Sequence, residues 1–214
     1  MNTAQTVAHS LLAIKAVFLR PNEPFTWASG IKSPIYTDNR LVLTAPAQRN
    51  LIEEALAERI RTHFPEAEVL MGTATAGIAH AALAADRLGL PMGYVRSSAK
   101  DHGRTNRIEG KLEPGAKVVV VEDLISTAGS VIDVVNALRD AGAHVCGIVA
   151  LFTYGMEAAS EALAASRTTL TTLTTFDDVI DAAVATGQIH ATDIPRLRAF
   201  RDNPRDESWM NEQE

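Results

Sequence analysis

The chain has 214 residues, enough for one sizeable core with a small appendage, and 46% of them are hydrophobic, as in an ordinary globular protein. Its 26 acidic against 20 basic residues leave a net charge of −6, which disfavours the broad basic surface that nucleic-acid binding needs. A single cysteine, Cys146, rules out an internal disulfide; no apolar run reaches membrane-spanning length and no basic-then-apolar signal segment opens the chain, so the expected location is the cytoplasm.

Val7, Leu11, Ile14 and Phe18 recur at helical spacing and predict an opening amphipathic helix. Phe25 to Arg40, with Gly30 and Pro34, reads as irregular backbone. Ile52, Leu56 and Ile60 share one face of a second helix. Val69-Leu70-Met71 is a short strand, and Gly72 to Gly77 turns into a helix ending near Gly89. Met92 to Arg96 is another strand, and Ser97 to Gly110 is a polar, basic loop. Val118 to Val121 read as a strand buried on both faces and ended by two acids, Glu122 and Asp123. A Ser/Thr/Gly turn leads into a helix with Val131, Val134, Val135 and Leu138 on one face and Gly142 at its C′ position. Val145 to Phe152 is a further strand, which places Cys146 as a small core residue. Thr168 to Phe176 is a threonine-rich strand whose faces its apolar spacing does not assign. Asp177 or Asp178 is the expected cap of a helix over Val179 to Ala185, and Ile194 to Phe200 suggests a last short helix.

Strands alternating with helices imply βαβ units and a parallel sheet, with the strand C-terminal ends along one edge. Gly72–Gly77, Arg96 and Glu122–Ser130 all fall at that edge, where open α/β sheets bind ligands. There are no internal repeats and no clear linker. A single domain over 1–214 is expected, with a core of about 46–175 and a small hood made by residues 1–45 and the C-terminal tail.

The run Glu122-Asp123-Leu124-Ile125-Ser126-Thr127-Ala128-Gly129-Ser130 carries the chemistry. Loop N–H groups and hydroxyls at a helix N-terminus suit a phosphate, and the acids are placed to accept hydrogen bonds from ribose hydroxyls. A single acid there would be an ordinary helix cap; two acids before Ser-Thr-Ala-Gly-Ser form a much narrower pattern. The turn is not a Walker A loop, since no Gly-Lys-Ser/Thr follows, and Gly-x-Gly-x-x-Gly is absent.

This run resembles the phosphoribosyl-diphosphate (PRPP) signature of type I phosphoribosyltransferases. Phe25 to Arg40 is similar to the hood segment of orotate phosphoribosyltransferases, and Arg96-Ser97-Ser98-Ala99-Lys100-Asp101-His102-Gly103 to their catalytic loop. The resemblance implies a type I α/β fold with a hood and transfer of ribose 5-phosphate from PRPP to orotate. It implies Lys100, Glu122 and Asp123 as catalytic residues. PRPP would be held by Arg96, Lys100, His102, Glu122, Asp123, Leu124, Ile125, Ser126, Thr127, Ala128, Gly129 and Ser130, and orotate by Ser126 and Tyr36. It further implies Mg²⁺ held mainly by substrate and water with no direct protein ligand, and a homodimer with the 97–110 loop shared across the interface. Neither nucleic acid nor membrane is an expected partner. Some relatives carry lysines where this chain has Ala28, Ala76 and Ser97, an arginine near Phe152–Tyr154, and Asp-Asp in place of Glu122-Asp123. Two other readings remain at this level: a purine phosphoribosyltransferase, which fits the signature but not the hood segment, and a PRPP-sensing regulator, which the acidic balance and the presence of Lys100 disfavour.

Overall fold

The computed structural model describes residues 1–27, 30–97 and 107–211. Helix α1 (Thr3–Ala13) starts in a capping box, with Asn2 accepting from the Gln5 N–H. It buries Val7, Ala8, Leu11 and Leu12 and stops before Phe18, contrary to the expected periodicity. Phe18 lies instead in β1 (Val17–Leu19), because Lys15 takes a left-handed conformation (φ 58°) that ends the helix. The segment expected to be irregular contains β2 (Phe25–Thr26), β3 (Lys32–Ser33), β4 (Ile35–Thr37) and a 3₁₀ helix over Asn39–Thr44. β1 pairs with β4 and β2 with β3, both antiparallel.

The core follows as α2 (Pro46–His63), β5 (Val69–Thr73), α3 (Ala76–Leu88), β6 (Met92–Val95), β7 (Ile108–Glu109), β8 (Lys117–Ile125), α4 (Gly129–Asp140), β9 (His144–Thr153), α5 (Glu157–Ala165), β10 (Leu170–Thr175) and α6 (Phe176–Ala185). The six-stranded sheet has the order β10-β9-β8-β5-β6-β7. All pairings are parallel except that of β7, a two-residue antiparallel edge inside the stretch expected to be loop.

Val118 to Val121 are fully buried, and the pleat divides them between two cores. Val119 and Val121 pack with residues of α1, α2, α3 and α6; Val118 and Val120 pack with Val131, Val134, Val135 and Leu138 of α4. At roughly 25 cal/mol per Å² of apolar surface, each such side chain contributes on the order of 2 kcal/mol. The acids do not end β8. Pairing with β9 continues through Leu124↔Phe152 to Ile125↔Thr153, so Glu122 and Asp123 sit within the strand.

Three further expectations are revised. Thr175, not an aspartate, is the N-cap of α6; Asp178 completes a capping box, its Oδ2 accepting from the Thr175 N–H at 2.9 Å. Cys146 is only partly buried, near the start of β9, and burial beside Glu66 raises its thiol pKa. α5 was not anticipated, since it is alanine-rich and buries only Ala159. Gly142 holds the expected left-handed position after α4, at φ 85°.

The two chain ends meet beside the signature. α7 (Ile194–Asp202) leads to a 3₁₀ helix over Glu207–Met210. Arg196 donates to the Pro21 carbonyl (2.8 Å), to Asn22 Oδ1 (2.8 Å) and to the Trp209 carbonyl (3.1 Å). The Trp27 ring lies edge-on to Phe200 at 5.7 Å and 6.0 Å from Tyr154. Tyr154, at the end of β9, donates to Thr37 Oγ1 at 3.2 Å. Burial pushes that phenol up to about 12, so it stays a donor at any physiological pH.

Candidate active site

β5 pairs with β8 only as far as Gly72↔Val121, and the strand order reverses between these two strands. Beyond Val121, β8 keeps β9 on one side and, among the described residues, has no strand on the other. The acids therefore lie at a topological switch point, where α/β sheets leave a crevice. The crevice is narrow because α3 begins hard against β8. A Cβ on Gly77 would meet the Val121 carbonyl oxygen at 2.5 Å and Thr73 Oγ1 at 2.4 Å. Only glycine lets the helix start there.

The two acids differ in environment. Glu122 is 7% exposed, whereas Asp123 is half-buried. Burial first, then the neighbouring Asp123 carboxyl, pushes Glu122 up to about 8. Its carboxyl thus keeps its proton at neutral pH in the free protein. Glu122 Oε1 accepts the Asp123 N–H at 2.9 Å. The Asp123 carbonyl accepts Asn39 Nδ2 at 2.8 Å. Asp38 and Arg40 form a two-pronged pair at 2.6 and 2.8 Å, which holds Asp38 below the usual carboxylate range.

After Ile125 the chain turns through Ser126 and Thr127. Ala128 is the N-cap of α4 in a left-handed conformation (φ 63°), and no side chain among the described residues caps the helix. Thr127, Gly129 and Ser130 are exposed, and Ser126 is half-buried. An uncapped helix start with hydroxyls on both sides presents N–H donors to an anion.

Two cavities flank the signature. One, of about 80 Å³, is lined by Thr73, Ala74, Ser97, Arg107, Glu122, Ser130 and Asp133, among others. The other, of about 410 Å³, lies between Ser126–Thr127, Trp27 and Ile31, the start of α5, and Arg201–Arg205 of the C-terminal tail. Arg107 donates to the Arg96 carbonyl (2.7 Å) and to Asp133 Oδ2 (2.6 Å), which lowers the Asp133 pKa.

The residues named from sequence therefore divide. Glu122 and Ser130 share the small cavity, and Ser126 and Thr127 line the larger one. Arg96 is half-buried at the end of β6, 3.7 Å from Glu109. Tyr36 is 42% exposed, with its ring 5.6 Å from Phe25, so one face is open. Leu124 is half-buried, while the Ile125 side chain is in the core and its carbonyl accepts the Tyr154 N–H at 3.0 Å. Lys100 and His102 lie outside the described residues, as does Ala28. The sequence reading missed Asn39 and Asp133. Asp133 had a usable signal, three residues after Ser130 on a predicted helix and so on the same face.

A parallel sheet with paired acids at its switch point and a hydroxyl turn at a helix start defines a phosphoribosyltransferase. The family model of the phosphoribosyl transferase domain matches residues 41–186. The orotate phosphoribosyltransferase of Bacillus subtilis (strain 168) is 52% identical over 206 residues, covering 96% of this chain and 95% of the relative. That of Listeria innocua is 54% identical over 209 residues, covering 98% and 99%. The crystal structure of orotate phosphoribosyltransferase from Aeropyrum pernix superposes with a TM-score of 0.74 at 30% identity, covering 86% of this chain and 99% of that one. The chain belongs to the orotate phosphoribosyltransferase family.

Proposed function

We propose that this chain transfers ribose 5-phosphate from PRPP to orotate, forming orotidine 5′-monophosphate and diphosphate in pyrimidine nucleotide synthesis. Near-full-length identity to orotate phosphoribosyltransferases supports the activity. The observation that carries the site assignment is the placement of Glu122 and Asp123 at the β5/β8 switch point, beside an uncapped helix start.

In the reaction the bond from the ribose anomeric carbon to diphosphate breaks, and a bond from that carbon to an orotate nitrogen forms on the opposite face. Asp123 accepts ribose hydroxyl hydrogen bonds and offsets the positive charge that develops on the ring. Glu122, protonated in the free protein, donates a hydrogen bond to a ribose oxygen, and its carbonyl oxygen can accept one from a ribose hydroxyl. Ser126 to Ser130 bind the 5′-phosphate with the first-turn N–H groups of α4. Ser126 also reaches the base, and Tyr36 offers a ring face to it. Arg96, Lys100 and His102 stabilise the departing diphosphate. The tail and hood residues belong to the same single domain as the core.

Mg²⁺ is the proposed cofactor. Among the described residues no group of three or more His, Cys, Asp or Glu side chains is arranged to hold a metal. The half-buried Asp123 carboxylate fits an ion that takes its oxygen ligands mainly from substrate and water. When bound, it neutralises charge on the diphosphate. A homodimer in which the 97–110 loop serves the neighbouring site, and a cytoplasmic location, complete the proposal. Among the described residues no helix is long and apolar enough to cross a membrane.

The test is orotate consumption by purified protein, with and without PRPP and Mg²⁺. Turnover should require all three. Faster reaction with adenine, hypoxanthine or uracil than with orotate would reject the base assignment.

A further inference from the structure

β8 outruns β5. The last paired residues are Gly72 and Val121, yet β8 continues to Ile125 against β9. The register pairs Val121, Glu122, Leu124 and Ile125 with β9, opposite Val149, Ala150, Phe152 and Thr153, and passes over Asp123. An open edge inside a protein must find other partners for its backbone groups. Here side chains replace the missing strand. Thr73 Oγ1 donates to the Val121 carbonyl at 3.4 Å, Glu122 Oε1 takes the Asp123 N–H at 2.9 Å, and Asn39 Nδ2 donates to the Asp123 carbonyl at 2.8 Å.

Of these, the Asn39 bond spans the longest stretch of chain, 84 residues. Asn39 is 1% exposed and opens the 3₁₀ helix between β4 and α2. Its Oδ1 is buried and has no hydrogen-bond partner among the described residues. Such an acceptor is destabilising, a cost that a mere space-filling residue would not incur. The next residue, Arg40, is clamped to Asp38 and lies close enough to Asp123 for the charge of that carboxylate to act on it. Asn39 thus joins the segment that carries Tyr36 to the backbone of the acid assigned to ribose.

We infer that Asn39 is a positioning residue: it fixes the free edge of β8 at Asp123, and so sets where the Asp123 carboxylate meets the ribose. This rests on the phosphoribosyl-transfer reading above. Asn39 touches no substrate in this account and acts through Asp123 alone.

The test is a double-mutant cycle on the full chain, with Asn39→Ala, Asp123→Asn and the double variant assayed with orotate, PRPP and Mg²⁺. Loss of register at a reacting group costs up to about 100-fold, so Asn39→Ala should lower kcat by roughly 10- to 100-fold. The KM for orotate should move less than about threefold, by the same reasoning that the lost contact is made through Asp123. The double variant should be no slower than Asp123→Asn alone, because one residue acts through the other. If Asn39→Ala does not fold, as judged by circular dichroism and thermal unfolding, Asn39→Leu keeps the branched shape, removes the donor without adding a charge and takes its place in the cycle. Losses that multiply in the double variant, or wild-type kcat in a folded Asn39 variant, would overturn the inference and leave the reaction standing. A wild-type protein inert toward orotate would overturn the reaction and the inference with it.

Discussion

The backbone N–H of Asp123 donates to the carboxyl of the residue before it, Glu122 Oε1, at 2.9 Å, while Glu122 is buried and lines a small cavity of about 80 Å³. One acid is thereby folded back against the strand, and the other is left half-exposed. Adjacent carboxyls on one strand so acquire separate roles.

Glu122 makes ligand-free stability depend on pH. Its carboxyl moves from an ordinary 4.5 to about 8 on folding, so between those values the folded chain binds more protons than the unfolded one. The Glu122 contribution to stability should therefore be most favourable below the lower value and should fall as pH rises toward 8, with a slope of at most about 1.4 kcal/mol per pH unit. Urea midpoints measured from pH 5 to pH 9 check this. Glu122→Gln should flatten that part of the curve, and an unchanged slope in the variant would assign the proton uptake elsewhere.

Asp123→Asn should fold normally, because it is nearly isosteric, and should lose about 100-fold or more in turnover, the usual scale for a preorganised electrostatic group. Steady-state kinetics beside a thermal unfolding curve decide it. Near-normal turnover in a folded variant would remove Asp123 from the chemistry.

Lys100→Ala should reduce turnover by about 10- to 100-fold and PRPP affinity by less, since its charge matters most as diphosphate departs. Mixing this variant with Asp123→Asn tests the shared site. If Lys100 serves the neighbouring subunit, heterodimers regain one complete site and part of the activity. Confirmed heterodimers without activity would confine Lys100 to its own subunit.

Glu53 and His80 make a fully buried pair between α2 and α3, with Oε1 and Nδ1 2.6 Å apart and neither side chain exposed. Either Glu53→Leu or His80→Leu strands the other polar group and should cost about 3 kcal/mol or more. The double variant, Glu53→Leu with His80→Leu, should be more stable than either single one, as removing both partners removes the orphan. Denaturant unfolding of the three variants provides the comparison.

Much of this protein was legible in one dimension. The run Val118–Val121 is β-branched and apolar without alternation, and so reads as a strand buried on both faces; all four residues are fully buried. Glu122 to Ser130 names its own ligand chemistry because acids, hydroxyls and a helix start follow one another without interruption. The helices that bury a stripe were equally visible: Ile52, Leu56 and Ile60, or Val131, Val134, Val135 and Leu138. These are local properties, set by spacing along the chain.

What the sequence left open depended on contacts between distant segments. Nothing in β8 alone says that β5 ends at Thr73 and leaves the edge open beside Asp123, so Asn39 was invisible as its partner. Two adjacent acids look equivalent until one is enclosed; desolvation by residues from β5, β6 and α4 lifted Glu122 and left Asp123 to the crevice. Phe18 has the spacing of a helix face, but a strand partner at Tyr36 claimed it. Periodicity and motif determine which elements form and what ligand they suit. The electrostatics of the site come from packing, because the cost of burying a charge depends on neighbours that only the folded chain brings together.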